Sequence, residues 1–533
     1  MKLVALRRHA NLPSTILLVT VFTLSGCQLT PPSVSTTETI ETSAAEQAYS
    51  ADNTPTNNPS QPEQTPPTAP PQPLILGVPP QWAQAAAQAV EHVTATESNW
   101  EWVVESSAKL NENLSQDIFD LALLHDSDGV PVGSRPLSLA VPLSSSWVQI
   151  SLPDAEQILT EGSPYVAVMD WSEITPNMRS LLVDGRHPSD PNYPLRDDWS
   201  LHSSPGFESA AKELAPWLMQ ELTFDAVIHI SAVGDVMLDR ALGEAVLAGD
   251  VGYPFAQVEG VLSTADITIA NLESALGDLG TPENKGYTFR APKETVETLS
   301  MAGFDLLSLA NNHAMDFGAE GLMQAIQLLE ARGIHTVGAG AADAAAHRPV
   351  IFEMNSIKLA FLAYVDVPVE FRGFDARAWI AGENRPGVAW AEPNRIHTDV
   401  ADALSQADLV VVILHSGYEN VIQPSPPQVA AAHAAIGAGA KLVIGHHAHV
   451  LQPIELFSDS VIAYGLGNFA FEDAGPPETG LLNVWIDARG VRELELVPLL
   501  LDTDGRPMPA SEEISSAILE SFYTMTMVFE GPD

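Results

Sequence analysis

The sequence predicts an α/β protein, because apolar strands alternate with amphipathic helices along its second half. From residue 226 onward, short apolar runs typical of buried strands cover residues 227–233, 267–270, 306–310, 359–364, 409–414 and 442–444. Helical patterns lie between them, as at residues 318–330 and 428–436. Polar residues follow several of these strands directly. Since functional groups in such sheets gather at the carboxyl ends of the strands, we expect the functional site there.

Composition excludes two classes of protein. With 533 residues, 45% of them hydrophobic, the chain is too long for a single small module and can bury at least two cores. It carries 24 basic and 68 acidic residues, for a net charge of -44, so a nucleic-acid backbone would be repelled. The acidic surface is equally compatible with a simple role in solubility, and it identifies no partner by itself.

The first 27 residues have the pattern of a secretory signal peptide. Basic residues within the first eight positions precede an apolar stretch at residues 16–24, which is too short for an ordinary membrane span. The stretch ends in Leu24-Ser25-Gly26-Cys27, which resembles the lipobox of bacterial lipoproteins. We therefore predict a lipoprotein signal peptide at residues 1–27 and lipidation of Cys27, the alternative being a plain secretory signal with an incidental cysteine. Cys27 is the only cysteine, so the chain cannot form an internal disulfide bond.

Residues 28–73 predict a disordered tether. They consist mainly of Ser, Thr, Pro, Gln, Asn and Glu and cannot bury enough apolar surface to offset the entropy of ordering. No Lys or Arg occurs between Arg8 and Lys109, so this segment would not adhere to an anionic membrane surface. We interpret it as a spacer between a bilayer and the folded part of the chain.

Residues 74–222 predict a smaller α/β domain. Strand-like pieces at residues 121–124 and 137–141 accompany a helical pattern at residues 83–93. The run of residues 120–159 resembles one lobe of an extracytoplasmic solute-binding protein. At the other end of the chain, residues 501–533 form a C-terminal extension with a predicted helix near residues 514–522.

Five polar clusters follow the strands of the second half. They are Gly234-Asp235-Val236-Met237, Asn271-Leu272-Glu273, Asn311-Asn312-His313, His415-Ser416-Gly417-Tyr418-Glu419 and Gly445-His446-His447-Ala448-His449. Carboxylate and amide oxygens and neutral imidazole nitrogens are the donors that a divalent cation of intermediate hardness prefers. Their common position at strand ends therefore predicts a metal site.

Each cluster also has a structural explanation when it is taken alone. Asp235 could cap a helix, and residues 271–273 could form a solvated loop. The Asn-Asn-His sequence could be a capping turn. Three neighbouring histidines could pack in a core without a metal, although neutral ring nitrogens can share a cation and the glycine before them allows a close approach of the backbone. It is the coincidence of all five clusters in one region that favours the metal site.

Residues 228–497 resemble the CapA-like poly-gamma-glutamate capsule synthesis family, a branch of the calcineurin-like metallophosphoesterase superfamily. The resemblance rests on the first, second, third and fifth clusters as extended by their neighbours, and on Gly338-Ala339-Gly340 and Tyr464-Gly465-Leu466-Gly467-Asn468-Phe469. It implies that residues 226–500 form a four-layer αββα metallophosphoesterase-like sandwich with a metal site at the strand ends.

The resemblance also implies the roles of individual residues. One or two divalent ions (Mn, Fe or Zn) would be bound by Asp235, Glu273, Asn312, His313, His415, His447 and His449. His313 and His446 are the candidate catalytic groups, as proton donors, and His446 could instead be a further ligand. Met237 stands where the superfamily often has a histidine, which predicts fewer protein ligands for one metal. Ser416 replaces the usual tryptophan, which predicts an altered fit for the substrate; Ala448 and Gly465 are further departures, and we expect both to be tolerated.

Two functional hypotheses follow. The first is a lipid-anchored cell-envelope protein that acts as a metal-dependent hydrolase on an envelope polymer such as poly-gamma-glutamate. The second is a non-catalytic accessory protein that binds or assembles with a membrane polymer synthase or exporter, with a structural or vestigial metal cluster. Both place the protein outside the cytoplasm and exclude nucleic acid as a partner.

Overall fold

The computed structural model describes residues 72–528, except residues 97, 99, 223–225 and 473–474. All of these residues belong to one compact unit of the chain. The predicted signal peptide, the predicted lipidation site Cys27 and all but the last two residues of the predicted tether lie outside the described residues. Within the described residues, no helix is both long enough and apolar enough to cross a membrane.

The first part of the described chain builds a seven-stranded mixed sheet with two long helices against it. The strands of this part of the chain, two of which lie outside the sheet, are β1 Leu74–Val78, β2 Trp102–Ser106, β3 Leu121–Leu124, β4 Val130–Pro142, β5 Gln149–Ile150, β6 Ala167–Asp170, β7 Met178–Ser180, β8 Leu182–Val183 and β9 Arg196–Ser203. Its helices are α1 Ala83–Ala95, α2 Leu110–Ser115, α3 Leu152–Glu161 and α4 Glu208–Glu221. The sheet order is β2-β1-β3-β9-β4-β6, with β7 also paired to β4, and β5 and β8 pair separately. Helices α1 and α4 share a core with β1 and β3.

The rest of the chain contributes two larger sheets. Their strands and the short strands beside them are β10 Ile228–Val236, β11 Ile267–Leu272, β12 Ala275–Leu276, β13 Arg290–Ala291, β14 Leu306–Ser308, β15 His335–Val337, β16 Ala339–Gly340, β17 Val350–Met354, β18 Ile357–Asp366, β19 Gly387–Val388, β20 Leu409–Ser416, β21 Leu442–His446, β22 Ile454–Leu456, β23 Val461–Ala463, β24 Asn468–Ala470, β25 Glu478–Asp487, β26 Gly490–Leu501, β27 Pro507–Pro509 and β28 Met527–Val528. The helices are α5 Arg240–Leu247, α6 Glu259–Leu262, α7 Thr295–Met301, α8 Gly318–Glu330, α9 Asp343–Ala346, α10 Pro393–Leu404, α11 Pro426–Gly437 and α12 Glu512–Thr524. The strands and helices predicted from residue 226 onward are thereby confirmed.

The two sheets have parallel central strands. One has the order β15-β14-β11-β10-β25-β26-β27, in which β10, β11, β14 and β15 run parallel and β25 is antiparallel to β10. The other has the order β17-β18-β20-β21-β23-β22-β28, in which β18, β20, β21 and β23 run parallel. The chain thus has a mixed α/β fold with several sheets. The segment after residue 500 adds β27 to the first sheet and β28 to the second.

The main core lies between these two sheets, and alternation along the strands divides it from a second core. In β20, Val411 and Ile413 belong to the same large cluster as Ile230 of β10. Val410 and Val412 point to the other face of β20, where they pack with residues of α10 and α11. This division follows from the two-residue period of a strand, which sends successive side chains to opposite faces. Because both faces are covered, the strand is apolar throughout.

Helix α11 illustrates how local sequence sets an element boundary. Ser425 accepts a hydrogen bond from the backbone N–H of Gln428, and the Gln428 side chain accepts one from the backbone N–H of Ser425. This reciprocal capping box satisfies two backbone donors at the start of the helix. Pro426 follows at the first helical position, where a missing N–H costs nothing.

The sheet of residues 74–222 is joined to β26 through the buried carboxylate of Glu493. Trp171 Nε1 donates to Glu493 Oε2 over 2.6 Å, and the backbone N–H of Ser180 donates to Oε1. His187 Nε2 lies 3.2 Å from Oε2, and the His187 ring stacks on Trp485 at a centroid distance of 3.8 Å. We call this group the Glu493 junction. It connects the sheet of residues 74–222 to the antiparallel side of the first large sheet.

Candidate metal centre

The predicted site residues come from the carboxyl ends of strands in both large sheets. Asp235 lies at the end of β10 and Glu273 directly follows β11. His415 lies near the end of β20, and the three histidines of the fifth cluster lie at or just after the end of β21. β10 and β11 run parallel in the first sheet, and β20 and β21 run parallel in the second. The ends that carry these residues therefore meet at one edge of the paired sheets. The site is therefore built by two separate sheets rather than by one loop.

Asp235 lies at the centre of this cluster and is fully buried. Its Oδ1 accepts a hydrogen bond from Asn271 Nδ2 at 2.9 Å, and its Oδ2 accepts one from the backbone N–H of His447 at 3.1 Å. His446 Nδ1 lies 3.1 Å from Oδ1, and His449 Nδ1 lies 3.5 Å from Oδ2. Burial alone would raise the pKa of Asp235, but the surrounding histidines outweigh it and hold the pKa below its ordinary value. Asp235 is therefore an ionised carboxylate in the interior.

A chain of side-chain amides holds His415 in place. Asn311 Nδ2 donates to Asn271 Oδ1 at 3.0 Å, and Asn271 Nδ2 in turn lies 3.1 Å from His415 Nδ1. On the other side of the ring, His415 Nε2 donates to Asn312 Oδ1 at 2.7 Å. Burial, followed by the nearby His447, lowers the pKa of His415 well below its usual value. A neutral ring is the form in which histidine binds metals.

Glu273 is a buried carboxylate with an unpartnered oxygen. Its Oε1 lies 3.6 Å from His415 Nε2 and 3.9 Å from His449 Nε2, while its Oε2 has no hydrogen-bond partner. Burial, the Asp235 carboxylate and then Glu419 raise the pKa of Glu273 well above its usual value. Buried polar atoms in folded proteins nearly always have a partner, so an orphaned carboxylate oxygen needs an explanation. A bound cation provides one.

The donor atoms of the cluster lie close to the separation that a shared divalent ion requires. Ligand atoms about 2.0–2.2 Å from one ion lie at most roughly 4.4 Å apart, so donors within 4.8 Å of one another need only approach slightly. Three overlapping groups of carboxylate and imidazole ligands have all their donor atoms within 4.8 Å of one another: Glu273, His415 and His447; Asp235, Glu273 and His449; and Glu419, His447 and His449. Like Glu273 Oε2, His447 Nδ1 is buried without a hydrogen-bond partner. The residues present could therefore hold a divalent metal ion.

The backbone after β21 adopts a conformation that side chains rarely allow. His447 has φ 83° and His449 has φ 56°, so both lie in the left-handed region. Such a conformation costs on the order of 1–3 kcal/mol per residue and persists where surrounding structure enforces it, typically at functional sites. Gly445 has no side chain because a Cβ there would collide with the carbonyl oxygen of Tyr464. Burial, followed by the neighbouring His449, lowers the pKa of His447 to about 3, so its ring is neutral.

His313 and Asn312 lie beside the cluster but outside the three ligand groups. His313 Nδ1 lies 2.8 Å from Asp316 Oδ2, and its ring stacks on Phe289 at 4.3 Å. Asn312 contacts the cluster through its hydrogen bond with His415. His446, the other candidate proton donor, is 2% exposed and faces Asp235. All of the predicted site residues from β10 to β21 are thus brought together.

An apolar wall lies beside the cluster at Met237. Met237 is fully buried and packs with Phe289 and Phe471. The Phe471 ring lies 5.0 Å from the ring of His449, measured between centroids. Met237 therefore offers the cluster an apolar surface instead of an imidazole nitrogen.

Four residues of the site are absent from the set predicted from the sequence. Asn271 and Asp316 orient His415 and His313, and Asn468 Oδ1 lies 2.7 Å from His449 Nδ1. Glu419 belongs to one of the ligand groups although it is exposed. Asn271, Glu419 and Asn468 lie inside motifs that the sequence already marked, namely the second and fourth clusters and the Gly-Asn-Phe sequence. Asp316 lies three residues beyond the third cluster. The motifs indicated the region, and the distances distinguish orienting residues from ligands.

The fold and the cluster together define a mixed α/β protein with carboxylate and imidazole groups that could hold a metal ion. Residues 229–473 match the family described as bacterial capsule synthesis protein PGA_cap. The PGA biosynthesis protein CapA of Bacillus subtilis is 30% identical over 294 residues, which cover 54% of this chain and 75% of that protein. The capsule biosynthesis protein CapA of Bacillus anthracis is 32% identical over 297 residues, which cover 54% of this chain and 70% of that protein. The chain belongs to this bacterial capsule synthesis family.

A solved structure, that of a novel phosphatase from Mycoplasma pneumoniae, matches 52% of this chain and 95% of its own chain. The sequence identity is 14% and the TM-score is 0.35.

Proposed function

We propose that this chain is a metal-dependent hydrolase that acts on an envelope polymer such as poly-gamma-glutamate during capsule biosynthesis. The observation that carries the proposal is the buried cluster around Asp235 and Glu273, in which neutral imidazoles face carboxylates and two polar atoms, Glu273 Oε2 and His447 Nδ1, lack partners. Such a cluster is costly to bury unless a cation compensates it. Membership of the capsule synthesis family supplies the polymer as the expected substrate class.

The arrangement of layers supports a metallophosphoesterase-like architecture. The two large sheets share a core, and α10 and α11 cover the outer face of the second sheet. Helices α5, α7 and α8 contribute Leu242, Leu299 and Leu329 to the core on the side of the first sheet. We infer a four-layer αββα sandwich, with the sheet of residues 74–222 as a smaller domain joined to it.

Asp235, Glu273, His415, His447 and His449 would hold one or two ions of Mn, Fe or Zn, and Asn312 and His313 would complete the site. A divalent ion bound there would polarise a phosphoryl or acyl oxygen and lower the pKa of water. His313 is held by Asp316 through Nδ1, which leaves Nε2 as the atom that exchanges a proton with a substrate. His446 faces Asp235 instead, so we assign His446 to the support of that carboxylate and His313 to proton transfer.

A non-catalytic accessory function is the second candidate, and Met237 favours it. Its buried thioether occupies the place of a potential ligand and packs against Phe289 and Phe471. A centre with fewer protein ligands could hold a structural ion without catalysis. In that case the chain would bind the polymer or assemble with a membrane synthase or exporter.

We further propose that the protein works at the cell envelope, attached to the membrane by a lipid on Cys27. The sequence around Cys27 and membership of the capsule synthesis family support this location. Globomycin, which blocks the peptidase of lipoprotein maturation, should make the unprocessed precursor accumulate. In Cys27→Ala, which lacks the thiol that takes the lipid, we expect no incorporation of a labelled fatty acid into the protein.

Elemental analysis of the purified protein from Leu74 onward tests the proposed centre. We expect one or two equivalents of Mn, Fe or Zn per chain, and almost none in the double variant His447→Ala/His449→Ala. The matched control is His347→Ala/His433→Ala, which removes two histidines that contact carboxylates away from the cluster. That control should keep its metal. A metal-free wild-type protein that stays folded and binds no added ion would overturn the proposal.

The choice between the two functions needs an activity measurement. The metal-loaded protein should hydrolyse a generic phosphodiester or a γ-glutamyl peptide faster with Mn²⁺ than with chelator. A protein that binds the metal but hydrolyses neither of them, nor poly-gamma-glutamate itself, favours the accessory function.

A further inference from the structure

Lys285 is a buried cation beside the candidate metal centre. It lies on the exposed loop between β12 and β13, yet its side chain is fully buried. We propose that Lys285 is a positioning residue that fixes Asn312 and His313 for the metal centre from outside the ligand set. This inference rests on the proposed metal site and adds to it a residue that none of the five sequence clusters contains.

The ammonium group has three oxygen neighbours. Lys285 Nζ donates to the backbone carbonyl oxygen of Asn312 at 2.5 Å and to Glu370 Oε1 at 2.9 Å, and it lies 2.8 Å from Asp316 Oδ1. Two of the three ammonium hydrogens are donated to Asn312 and Glu370, and the contact with Asp316 is an ion pair. The rings of Trp379 and Phe374 lie 4.9 and 5.6 Å from Nζ. The ammonium group is therefore surrounded by protein oxygens and aromatic rings.

Two of the three contacts act on the segment that carries site residues. The carbonyl that Lys285 binds belongs to Asn312, whose side chain accepts the hydrogen bond from His415. The carboxylate of Asp316 is the one that orients His313 through its other oxygen. One ammonium thus restrains the backbone of one site residue and the orienting partner of the next.

The loop that carries Lys285 is itself attached to this segment. The backbone N–H of Glu283 donates to the carbonyl oxygen of Asp316 at 2.8 Å. Phe289 follows the same loop, and its backbone N–H donates to Asp316 Oδ2 at 2.6 Å while its ring stacks on His313. The loop and the segment of residues 311–316 therefore form one connected unit around the ammonium group.

The ion pair with Glu370 makes it possible to test positioning apart from charge compensation. Glu370 lies in the segment between β18 and β19 and pairs with Lys285. Among the residues that the structure describes, Glu370 forms no hydrogen bond with Asn312 or Asp316. Glu370→Gln therefore weakens the ion pair and leaves both contacts with the site segment. Burying an ammonium group with two carboxylates is expensive, and replacement by apolar residues often costs little stability. Positioning of the site segment accounts for its presence.

Metal titration of three variants tests the inference. In Lys285→Met we expect the affinity for Mn²⁺ or Zn²⁺, measured by calorimetry on the folded protein, to fall about 10- to 100-fold, as when an outer partner of a ligand is removed. Lys285→Arg should recover most of this loss, because the guanidinium can reach the same oxygens. Glu370→Gln, the matched control, should bind within about threefold of the wild type, since the contacts with Asn312 and Asp316 remain. The absorption spectrum of bound Co²⁺ should change in Lys285→Met and not in Glu370→Gln.

The outcomes distinguish this inference from the proposed function. A wild-type protein that binds no ion overturns the metal centre, whatever the variants do. A wild type that binds while Lys285→Met binds equally well, or while Glu370→Gln loses as much affinity, overturns only the role of Lys285. If Lys285→Met does not fold, Lys285→Gln takes its place, and its metal affinity should fall at least about tenfold. The glutamine amide is uncharged and can donate to only some of the three oxygens that Lys285 contacts.

Discussion

Two of the groups of buried carboxylates and histidines in the described part of the chain differ in whether the oxygens of their glutamate have hydrogen-bond partners. At the Glu493 junction both carboxylate oxygens accept hydrogen bonds, from Trp171, Ser180 and His187. In the candidate metal centre, Glu273 Oε2 and His447 Nδ1 form no hydrogen bond. The Glu493 carboxylate thus has protein donors for both of its oxygens. One oxygen of Glu273 has none, and a bound cation would supply a partner for it.

The pKa shifts of Glu273 and Glu493 run in opposite directions because different groups surround the two carboxyls. Burial raises the pKa of both carboxyl groups. At Glu493, His187 and the hydrogen bonds outweigh burial and lower the pKa below its usual value. At Glu273, the Asp235 carboxylate adds to burial, and the pKa rises. A buried glutamate with enough donors is structural, whereas one that faces another carboxylate marks a site for a cation.

Removing the junction carboxylate should produce the largest change in stability. In Glu493→Ala, the N–H groups of Trp171 and Ser180 and the His187 ring lose their acceptor. We expect the free energy of unfolding to fall by about 3–5 kcal/mol, as when one partner of a buried ion pair is removed. Urea denaturation measures it. Metal content should stay unchanged, and a parallel loss of metal would contradict the separation between the two groups.

Replacing the Glu273 carboxylate in the candidate metal centre should weaken metal binding and leave stability unchanged. Glu273→Gln should weaken metal binding at least about 100-fold, or about 2.7 kcal/mol. It should not lower the melting temperature of the metal-free protein, because the repulsion between Glu273 and Asp235 disappears. Calorimetric titration and thermal melts with chelator measure the two effects. Glu455→Gln is the control, since Glu455 is buried but contacts His433 and Tyr464. A metal-free Glu273→Gln protein that melts well below the wild type would refute this expectation.

A smaller effect concerns the stability of the metal-free protein at acidic pH. The pKa of His447 lies at about 3 in the folded protein, below its ordinary 6.5, so the unfolded chain takes up the proton first as the pH falls. The metal-free protein should therefore lose up to about 1.4 kcal/mol of stability per pH unit below 6.5 through this residue. His447→Gln should flatten that slope. Between pH 5 and 6.5 the Glu493 carboxyl does not contribute, because its lowered pKa matters only below its ordinary value of 4.5.

The control for this pH profile is His397→Gln, since His397 is an exposed residue of α10. Its slope should equal that of the wild type. Equal slopes for His447→Gln and the wild type would mean that His447 does not govern this part of the profile.

Strand and helix positions in the second half were predictable because each strand is a continuous apolar run. The helix predicted at residues 318–330 is α8, and the strand predicted at residues 409–414 is the centre of β20. The division of these strands between two sheets was not predictable from alternation, since β11 and β20 have equally apolar sequences. The antiparallel insertion of β25 beside β10 also has no local signal, because it depends on a pairing across 250 residues.

The candidate site was predictable where its residues follow a strand. Asp235, Glu273, His415 and His447 all do, and strand ends converge in any parallel sheet. Lys285 was not, because it lies among exposed loop residues and only the folded chain turns its side chain inward. Glu493 was equally hidden, since an acidic residue in β26 reads as the solvent face of an antiparallel strand.

The pairing of β10 with β25 has a consequence for biogenesis. β10 carries Asp235, yet its antiparallel neighbour begins at Glu478 and is made only after most of the chain. Until then one edge of β10 has unpaired backbone groups, which is the kind of edge that promotes association between chains. Folding of this region is therefore dominated by contacts distant in sequence, which are slow to form. A chain that is exported before it folds would need protection by chaperones until β25 has crossed the membrane.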